Sequence, residues 1–279
     1  MSGVETFRTI RALARSGAAN GAPVATQEYL LRHALESFLA RLTRTPHAED
    51  LVLRVGSCSV HMASAVPPGT PTRTRSLLMS HPTHLHRVVR DVAAVEADDG
   101  VEFLLDSLVV TDIRDDATYP GIRLRLKARV GSWRGVIAWD VSAGDPIVPA
   151  PRWVTLPRLL GEPIRLLGYA PESTIAEKGV TILERGVTST RWRDYVDIVT
   201  LGVAGVDPAL LRESARAVAS HRGVDLQVIG PVLEGYGAVS QRKWAAWRRK
   251  ERLEGVSEES LDDQILRVAA ILDPVFGEE

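Results

Sequence analysis

One lysine and two carboxylates in Ile175–Val199 have the types and spacing that could hold a phosphorylated ligand. Two short helical runs flank a Gly-Val-Thr-Ser-Thr break; the first contains Lys178, and the second contains Asp194 and Asp197. Helical spacing places both aspartates on one face, because residues three positions apart are neighbours on a helix. Such groups on adjacent helices could hold a triphosphate and order basic side chains. The alternative interpretation is a pair of solvated helix faces with internal salt bridges.

A further candidate is Asp140, which ends the alternating run of GSWRGVIAWDVSAGDP. In a strand, this alternation places Asp140 on the same face as Val136 and Ala138. Burying an ionised carboxylate on an apolar face is costly unless it is paired or binds a cation, so a divalent metal ion would suit the position. The open alternative is a carboxylate at the strand end that faces solvent or caps the following loop.

Basic and aromatic residues are interleaved in Gln241–Arg252, QRKWAAWRRKER. On a helix, Trp244 and Trp247 share a face, and Lys243 and Arg248 flank it. A surface of this kind could bind an RNA backbone and stack bases. In the alternative interpretation, the tryptophans pack inward and the basic residues form a solvated face.

Gly56–Pro82 differs in composition from the rest of the chain. It is rich in Ser, Thr, Pro, Met and His, and no Asp or Glu occurs from Gly56 to Arg90. Imidazoles at this density suit zinc, although a loop with scattered histidines is the commoner case; the candidate ligands are His61, His81, His84 and His86. Cys58 is the single cysteine, so an intrachain disulfide and a cage of several thiolates are both excluded.

The elements that must position these residues are predicted from hydrophobic periodicity. Strands are predicted over Leu51–Val55, Val101–Ile113, Gly121–Val130, Trp133–Val141 and Ile164–Gly168. Helices are predicted over Val4–Ala14, Thr26–Leu42, Leu85–Val95, Ser240–Leu253 and Ser257–Leu272, and from Pro171 and Asp207 onward. Thr26 and Ser257 are suitable N-cap residues, and Asp207 followed by Pro208 is a typical helix start.

These elements predict an α+β fold in which a mixed sheet flanked by helices is followed by a helical C-terminal half. The predicted boundaries are 1–25 for an N-terminal helix and linker, 26–168 for the α/β domain and 169–279 for the helical domain. The 279 residues are 45% apolar and 25% charged, which is ordinary for a globular protein. A net charge of −1 provides no global attraction to nucleic acid or membranes. Because no apolar run is long enough for a signal peptide or a membrane span, we expect a cytoplasmic protein without a membrane partner.

Five blocks of sequence occur in an order that resembles a known family. They are PHAEDLVLRVG (Pro46–Gly56), YPGIRLRLKA (Tyr119–Ala128), IAWDVSAGDPIVP (Ile137–Pro149), TLPRLLG (Thr155–Gly161) and IAEKGVTILERGVTSTRWRDYVDI (Ile175–Ile198). Their order and spacing are similar to those of the AbiEii/AbiGii toxin family, nucleotidyltransferase-fold proteins of type IV toxin–antitoxin and phage-defence modules. The resemblance covers residues 26–200 and is strongest over residues 119–198.

The resemblance implies transfer of a nucleotide from an NTP to an RNA acceptor, which is a tRNA 3′ end in some members, with a cognate antitoxin as partner. It also implies Mg²⁺ as cofactor, which aligns the attacking hydroxyl and neutralises the leaving pyrophosphate. Asp140 matches a metal-binding carboxylate of the family. Lys178 matches the lysine that contacts the nucleotide phosphates, and Asp194 matches the acidic block that follows this lysine in sequence. Gly56 and Ser57 match the phosphate-binding turn.

The site implied by this resemblance has three groups of residues. The catalytic residues are Asp140, Lys178 and Asp194, with Asp140 as the metal ligand. The nucleotide-binding residues are Gly56, Ser57, Lys178 and Arg185. The acceptor-binding residues are Arg193, Lys243, Arg248 and Arg249.

This sequence departs from the family pattern because the Asp-x-Asp expected after the phosphate turn is missing. Two explanations for Gly56–Pro82 are open: the segment is disordered, or it is translated out of the ancestral reading frame, whose codons could spell Gly-Gly and Asp-x-Asp. Sequencing the locus tests the second. The alternative function is that of a catalytically inactive relic of the family, which binds an antitoxin or RNA.

Overall fold

The computed structural model describes residues 1–19, 25–55, 60–64, 82–113, 121–142 and 145–277. These residues form two compact units. The first contains residues 1–54, 60–144 and 152–168, and the second contains residues 55–59, 145–151 and 169–279. The predictions made for Gly56, Ser57, Cys58 and His81 lie outside the described residues.

The first unit combines three helices with a seven-stranded mixed sheet. Its helices are α1 (Gly3–Ala19), α2 (Thr26–Leu42) and α3 (Pro82–Ala94). Its strands are β1 (Leu51–Val55), β2 (Val60–Ser64), β3 (Val101–Ile113), β4 (Gly121–Val130), β5 (Trp133–Ser142), β6 (Arg152–Leu156) and β7 (Ile164–Gly168). The strand order is β3-β4-β5-β2-β1-β7-β6. The β3–β4, β4–β5 and β6–β7 pairs are antiparallel, whereas β2 pairs with β5 and β1 pairs with β7 in parallel.

Strict alternation along β4 separates a buried face of the sheet from an open face. The side chains of Leu124 and Leu126 are fully buried, and they share a core with Phe38 of α2 and Val92 of α3. The intervening residues of β4 are exposed and basic; they are Arg123, Arg125, Lys127 and Arg129. The helices therefore cover one face of this part of the sheet, and charged residues cover the other.

The second unit is helical around a separate core. Its helices are α4 (Pro171–Arg185), a 3₁₀ turn (Gly186–Thr188), α5 (Trp192–Val203), α6 (Pro208–Arg222), α7 (Ile229–Val232), α8 (Tyr236–Glu251) and α9 (Leu261–Phe276). Ile175 on α4, Tyr195 on α5, Trp244 on α8 and Val268 on α9 are fully buried in one cluster. Across the described ranges of both units, the helices are too short or too polar to cross a membrane.

The structure confirms the predicted fold class: a mixed sheet with helices, followed by a helical C-terminal half. Four strands have the predicted bounds, and β5 extends one residue further, to Ser142. Asp207 is the predicted N-cap of α6, and its Oδ1 accepts hydrogen bonds from the backbone N–H groups of Ala209 and Leu210. The strands β2 and β6 were not predicted.

Two predicted N-caps are wrong. The N-cap of α2 is Ala25, which makes no side-chain bond, and Thr26 is already helical. The last helix begins at Leu261 with Ser260 as its cap, whose Oγ accepts from the N–H of Asp263. Ser257 is instead engaged by Arg248, so it is not available to start a helix.

Candidate functional site

A buried charge cluster joins α4 to α5 in the second unit. Lys178 Nζ lies 2.5 Å from Asp194 Oδ1 and 2.9 Å from Asp197 Oδ2. Arg191 Nε lies 2.9 Å from the other oxygen of Asp194. The side chains of Lys178, Asp194 and Asp197 are only 9%, 5% and 2% exposed, whereas Arg191 is 46% exposed. The structure thus brings Lys178 together with the two aspartates that helical spacing placed on one face. The cluster is desolvated, unlike the solvated faces of the alternative interpretation, and Arg191 is its solvent-facing cation.

Attraction from the two cations outweighs desolvation at Asp194. Burial alone would raise the pKa of Asp194, but the charges and hydrogen bonds of Lys178 and Arg191 hold that pKa below its ordinary value. Asp194 is therefore ionised at neutral pH. The neighbouring Tyr195 hydroxyl has a raised pKa because it is buried, and because Tyr236 and the Asp194 charge lie nearby. The phenol consequently stays neutral beside the cluster.

Local sequence explains why α4 can present Lys178 beside α5. The helix begins with Pro171 in its first turn, where the missing N–H has no intrahelical role. Gly179, next to Lys178, lies so close to α9 that a Cβ there would be 2.7 Å from Phe276 Cζ and 3.0 Å from Leu272 Cδ1. After α4, the 3₁₀ turn leads into α5, whose first turn contains Asp194.

Arg222 forms a further charge cluster that was not predicted from the sequence. Its Nε and Nη2 donate to the two oxygens of Asp145, at 2.8 and 2.6 Å. Its Nη1 donates to Glu184 Oε2 and to Thr181 Oγ1, both at 2.9 Å. Burial would lower the pKa of Arg222, but its bonds and charge interaction with Asp145 raise it above the ordinary value. Within the second unit, Arg222 thus attaches Asp145 to helices α4 and α6.

Asp140 lies on the open face of the sheet in the first unit. Arg123 on the neighbouring strand β4 is its register partner, and their two hydrogen bonds are 2.7 and 2.8 Å long. Asp140 does share a face with Val136 and Ala138, as predicted, but all three are at least partly exposed. Of the two alternatives left open for Asp140, the structure therefore favours a carboxylate that is not buried on an apolar face, and its charge is met by a guanidinium.

The residues described around Asp140 do not fit a two-magnesium site. Such a site clamps an incoming and a leaving oxygen between two ions that carboxylates hold close together. In the described ranges, Asp140 belongs to no group of three His, Cys, Asp or Glu residues that could share a metal ion. Its carboxylate is instead bound on both oxygens by Arg123.

The predicted acceptor-binding residues of the second unit have different surroundings. Arg248 is buried, and it donates to Ser257 Oγ and to the carbonyls of Glu254 and Ser257, so its role is to hold the end of α8. Lys243 and Arg249 are exposed on the same helix.

Arg193 and Arg185 are both partly exposed. Arg193 lies over the Trp247 ring at 5.8 Å, and its Nη2 donates to Glu251 at 3.1 Å rather than binding Asp197 four residues along its own helix. Arg185 lies in the last turn of α4. Trp244, by contrast, is fully buried, which agrees with the inward-packing interpretation of the aromatic pair.

Of the histidines considered for zinc, the structure describes the side chains of His84 and His86. His86 is exposed on α3, and the side chain of His61 is not among those described. His84 is partly buried beside His47, with ring centroids 5.6 Å apart. Because His81 lies outside the described residues, the His-x-x-His-x-His grouping stays a hypothesis, and His84 contacts a histidine from another part of the chain.

Comparisons with known proteins bear on the identity of the chain. The family model that describes the nucleotidyl transferase AbiEii toxin of type IV toxin–antitoxin systems matches residues 82–267, about two thirds of the chain. No curated protein matches. Two solved Helicobacter pylori structures also match the chain. One is JHP933, with 12% identity over 91% of this chain and 93% of that chain and a TM-score of 0.45. The other is named as a nucleotidyltransferase, with 11% identity over 91% and 96% and a TM-score of 0.47.

Proposed function

Since the chain belongs to the AbiEii nucleotidyl transferase toxin family of type IV toxin–antitoxin systems, we propose that it transfers a nucleotide from an NTP to an RNA acceptor such as tRNA. Lys178 binds the triphosphate, and Asp194 positions this lysine through their ion pair. A cognate antitoxin is the protein partner that the family suggests.

The observation that supports this proposal best is the burial of Lys178 with two carboxylates. Replacing a buried ion cluster by apolar residues of similar volume often leaves a protein equally stable, so such clusters are weak evidence of a stabilising role. Shifted carboxylate pKa values in a desolvated cluster are common at functional sites. A lysine is also a point charge on a flexible stem, which can exchange a carboxylate for a phosphate oxygen.

Arg191 lowers the electrostatic cost of this exchange at Asp194. When Lys178 turns toward a phosphate, Asp194 keeps the guanidinium of Arg191 at 2.9 Å as its counter-ion. Asp197 also loses its 2.9 Å contact to the lysine in that step, so binding of the anion must offset the loss of that contact. The proposed binding step is therefore a competition between phosphate and Asp197 for one ammonium group.

Mg²⁺ is the cofactor that the family implies, but none of the proposed roles of this chain's residues is to bind it. The described residues around Asp140 do not fit a two-ion site, and the predicted phosphate turn at Gly56 and Ser57 lies outside the described ranges. The proposed roles of this chain's own residues are consequently limited to binding the triphosphate at Lys178 and the RNA backbone at exposed cations of α8, Lys243 and Arg249.

Incorporation of label from each of the four NTPs into bulk tRNA, with and without Mg²⁺, tests the activity. We expect Lys178→Met to lower incorporation about 10²–10³-fold, the usual effect of removing one group that stabilises developing charge. Lys127→Met, which removes an exposed lysine from the sheet, is the matched control and should leave incorporation unchanged. Equal loss in both variants, with intact circular dichroism spectra, contradicts the proposed role of Lys178.

A second function is favoured by the state of Asp140. A carboxylate bound on both oxygens by Arg123, in a chain without Asp or Glu from Gly56 to Arg90, suits a family member that has lost catalysis and retains binding. Such a protein would transfer no label from any NTP while folded, and it would still bind its antitoxin in a pull-down with the purified pair. Label transfer by the wild-type chain that Asp140→Asn abolishes rules out this second function.

A further inference from the structure

A cluster of two histidines and two aspartates lies where the α2–β1 connection meets α3 in the first unit. His47 and Asp50 belong to the connection, and His84 and Asp91 lie seven positions apart on α3, which places them on one helix face. His47 Nδ1 lies 3.2 Å from Asp50 Oδ2, and its Nε2 lies 2.8 Å from Asp91 Oδ2. His47 itself is buried, with a side chain that is 10% exposed.

The two contacts of His47 cannot both be hydrogen bonds donated by a neutral imidazole. A neutral imidazole has one N–H, which can donate to only one of the two carboxylates. If Nε2–H donates to Asp91, the lone pair of Nδ1 faces the carboxylate of Asp50 at 3.2 Å, and the two repel. Either a second proton on His47 or a bound cation removes this repulsion.

His84 distinguishes between these two solutions. Its Nε2 atom is buried and has no hydrogen-bond partner in the described structure. A second proton on His47 would leave this buried atom without a partner, whereas a bound metal ion would give it one.

The dimensions of the cluster suit a transition-metal ion. One ring nitrogen of each histidine and a carboxylate oxygen of Asp50 all lie within 4.8 Å of one another. A tetrahedral zinc ion with bonds of about 2.0–2.2 Å separates its ligand atoms by about 3.3–3.5 Å. Modest side-chain rotations therefore convert the cluster into a three-ligand site with one open position.

We propose that His47, Asp50 and His84 bind a zinc ion. Asp91 is the positioning residue, because a metal-binding histidine usually donates its other N–H to a carboxylate, which fixes the tautomer and the ring orientation. Two imidazoles and one carboxylate select zinc or a similar borderline ion over Mg²⁺, which prefers oxygen ligands. The ion attaches the α2–β1 connection to the first turn of α3, and its ligands include none of the residues proposed for nucleotide transfer.

Calorimetric titration of the chelator-treated full chain with ZnCl₂ tests the site. We expect one ion per chain, no displacement by millimolar Mg²⁺ and, with Co²⁺ in place of Zn²⁺, the visible d–d absorption of a low-coordinate site. His84→Ala should weaken binding at least as much as the loss of a supporting residue does, which is about 10–100-fold, and Asp91→Asn should fall within that range. His86→Ala, on the same helix and exposed, is the matched control and should bind Zn²⁺ as the wild type does.

Stability provides a second readout. Zn²⁺ should raise the melting temperature of the wild type and of His86→Ala, because a ligand of the folded state stabilises it, and it should not raise that of Asp50→Asn. Asp50→Asn preserves the side-chain volume, so it remains informative if His84→Ala does not fold. The absence of Zn²⁺ binding by the wild type, or equal binding by the wild type, His84→Ala and Asp50→Asn, overturns the proposal.

Discussion

Lys178 Nζ lies 2.5 Å from Asp194 Oδ1, and both side chains are almost completely removed from solvent. Their pairing compensates charges that would otherwise be very costly at such depth, so neither residue can be changed without affecting the other. Activity and stability are consequently coupled at this position, and their effects must be measured separately.

Removing Lys178 should destabilise the protein. Lys178→Met keeps most of the side-chain volume but leaves Asp194 and Asp197 without their shared cation, so we expect a loss of about 3–5 kcal/mol of unfolding free energy. Urea denaturation measures it. The exposed Lys250→Met on α8 should change stability by less than about 0.5 kcal/mol. The double variant Lys178→Met with Asp197→Asn should recover part of the loss, and a further loss instead would contradict the ion-pair explanation.

The lowered pKa of Asp194 predicts a dependence of stability on pH. An aspartate has an unfolded-state pKa of about 3.9, and the folded-state pKa of Asp194 is lower, so the unfolded state binds more protons. The contribution of Asp194 is therefore fully present above the unfolded value and is lost as the pH falls through the folded pKa. Unfolding free energies measured between pH 6 and pH 2 should fall more steeply for the wild type than for Asp194→Asn. Parallel curves would show that Asp194 does not titrate in this way.

Arg222 should not tolerate replacement by lysine. A lysine cannot form the two parallel bonds to Asp145 while also reaching Glu184, so we expect Arg222→Lys to lose about 1.5–3 kcal/mol, the value of a hydrogen bond to a charged group. Thermal or urea unfolding measures the change. Arg216→Lys, at an exposed position of the same helix, should be neutral. If both variants are equally stable, the fork geometry of Arg222 is not needed.

Because α4 and α9 are in close contact at Gly179, adding a single methyl group there should lower the unfolding free energy. In Gly179→Ala the new Cβ would overlap the buried ring of Phe276, so we expect a loss of about 1–3 kcal/mol despite the lower entropy of the unfolded chain. Gly230→Ala is the control, because nothing lies within 4 Å of its Cβ position, and it should be neutral or slightly stabilising. The unfolding free energies of both variants are measured by urea denaturation. A Gly179→Ala variant as stable as the wild type would mean that α9 can move away from α4.

The sequence predicted correctly those elements whose own residues show a clear periodic pattern. The β4 strand could be placed to the residue because apolar and basic side chains alternate along it between glycine and the next turn. The strand β2, VHMAS, has no such alternation, and one of its two neighbours in the sheet, β5, is far away in sequence. Ser257 fits the N-cap pattern as well as Ser260 does, but Ser257 Oγ accepts from Arg248, whereas Ser260 Oγ accepts from the N–H of Asp263 and caps the helix.

The residues of the candidate site likewise differ in whether their contacts are local in sequence or join distant segments. Lys178, Asp194 and Asp197 could be grouped from the sequence because they lie on two consecutive helices joined by a short break. Arg222 and Asp145 are 77 positions apart, and no local periodicity relates them. His47 and Asp91 are likewise 44 positions apart, so only the packing of α3 against the α2–β1 connection brings them together.

The basic residues on β4 also determine which pairing of the sheet is allowed. A shift of β4 by one residue against its neighbours would turn Arg123, Arg125 and Lys127 toward the helices, and would turn Leu124 and Leu126 toward water. Both changes are strongly unfavourable, because cations would be buried unpaired while apolar surface becomes hydrated. The open face therefore acts against misfolding: its charges exclude the mispaired sheet during folding.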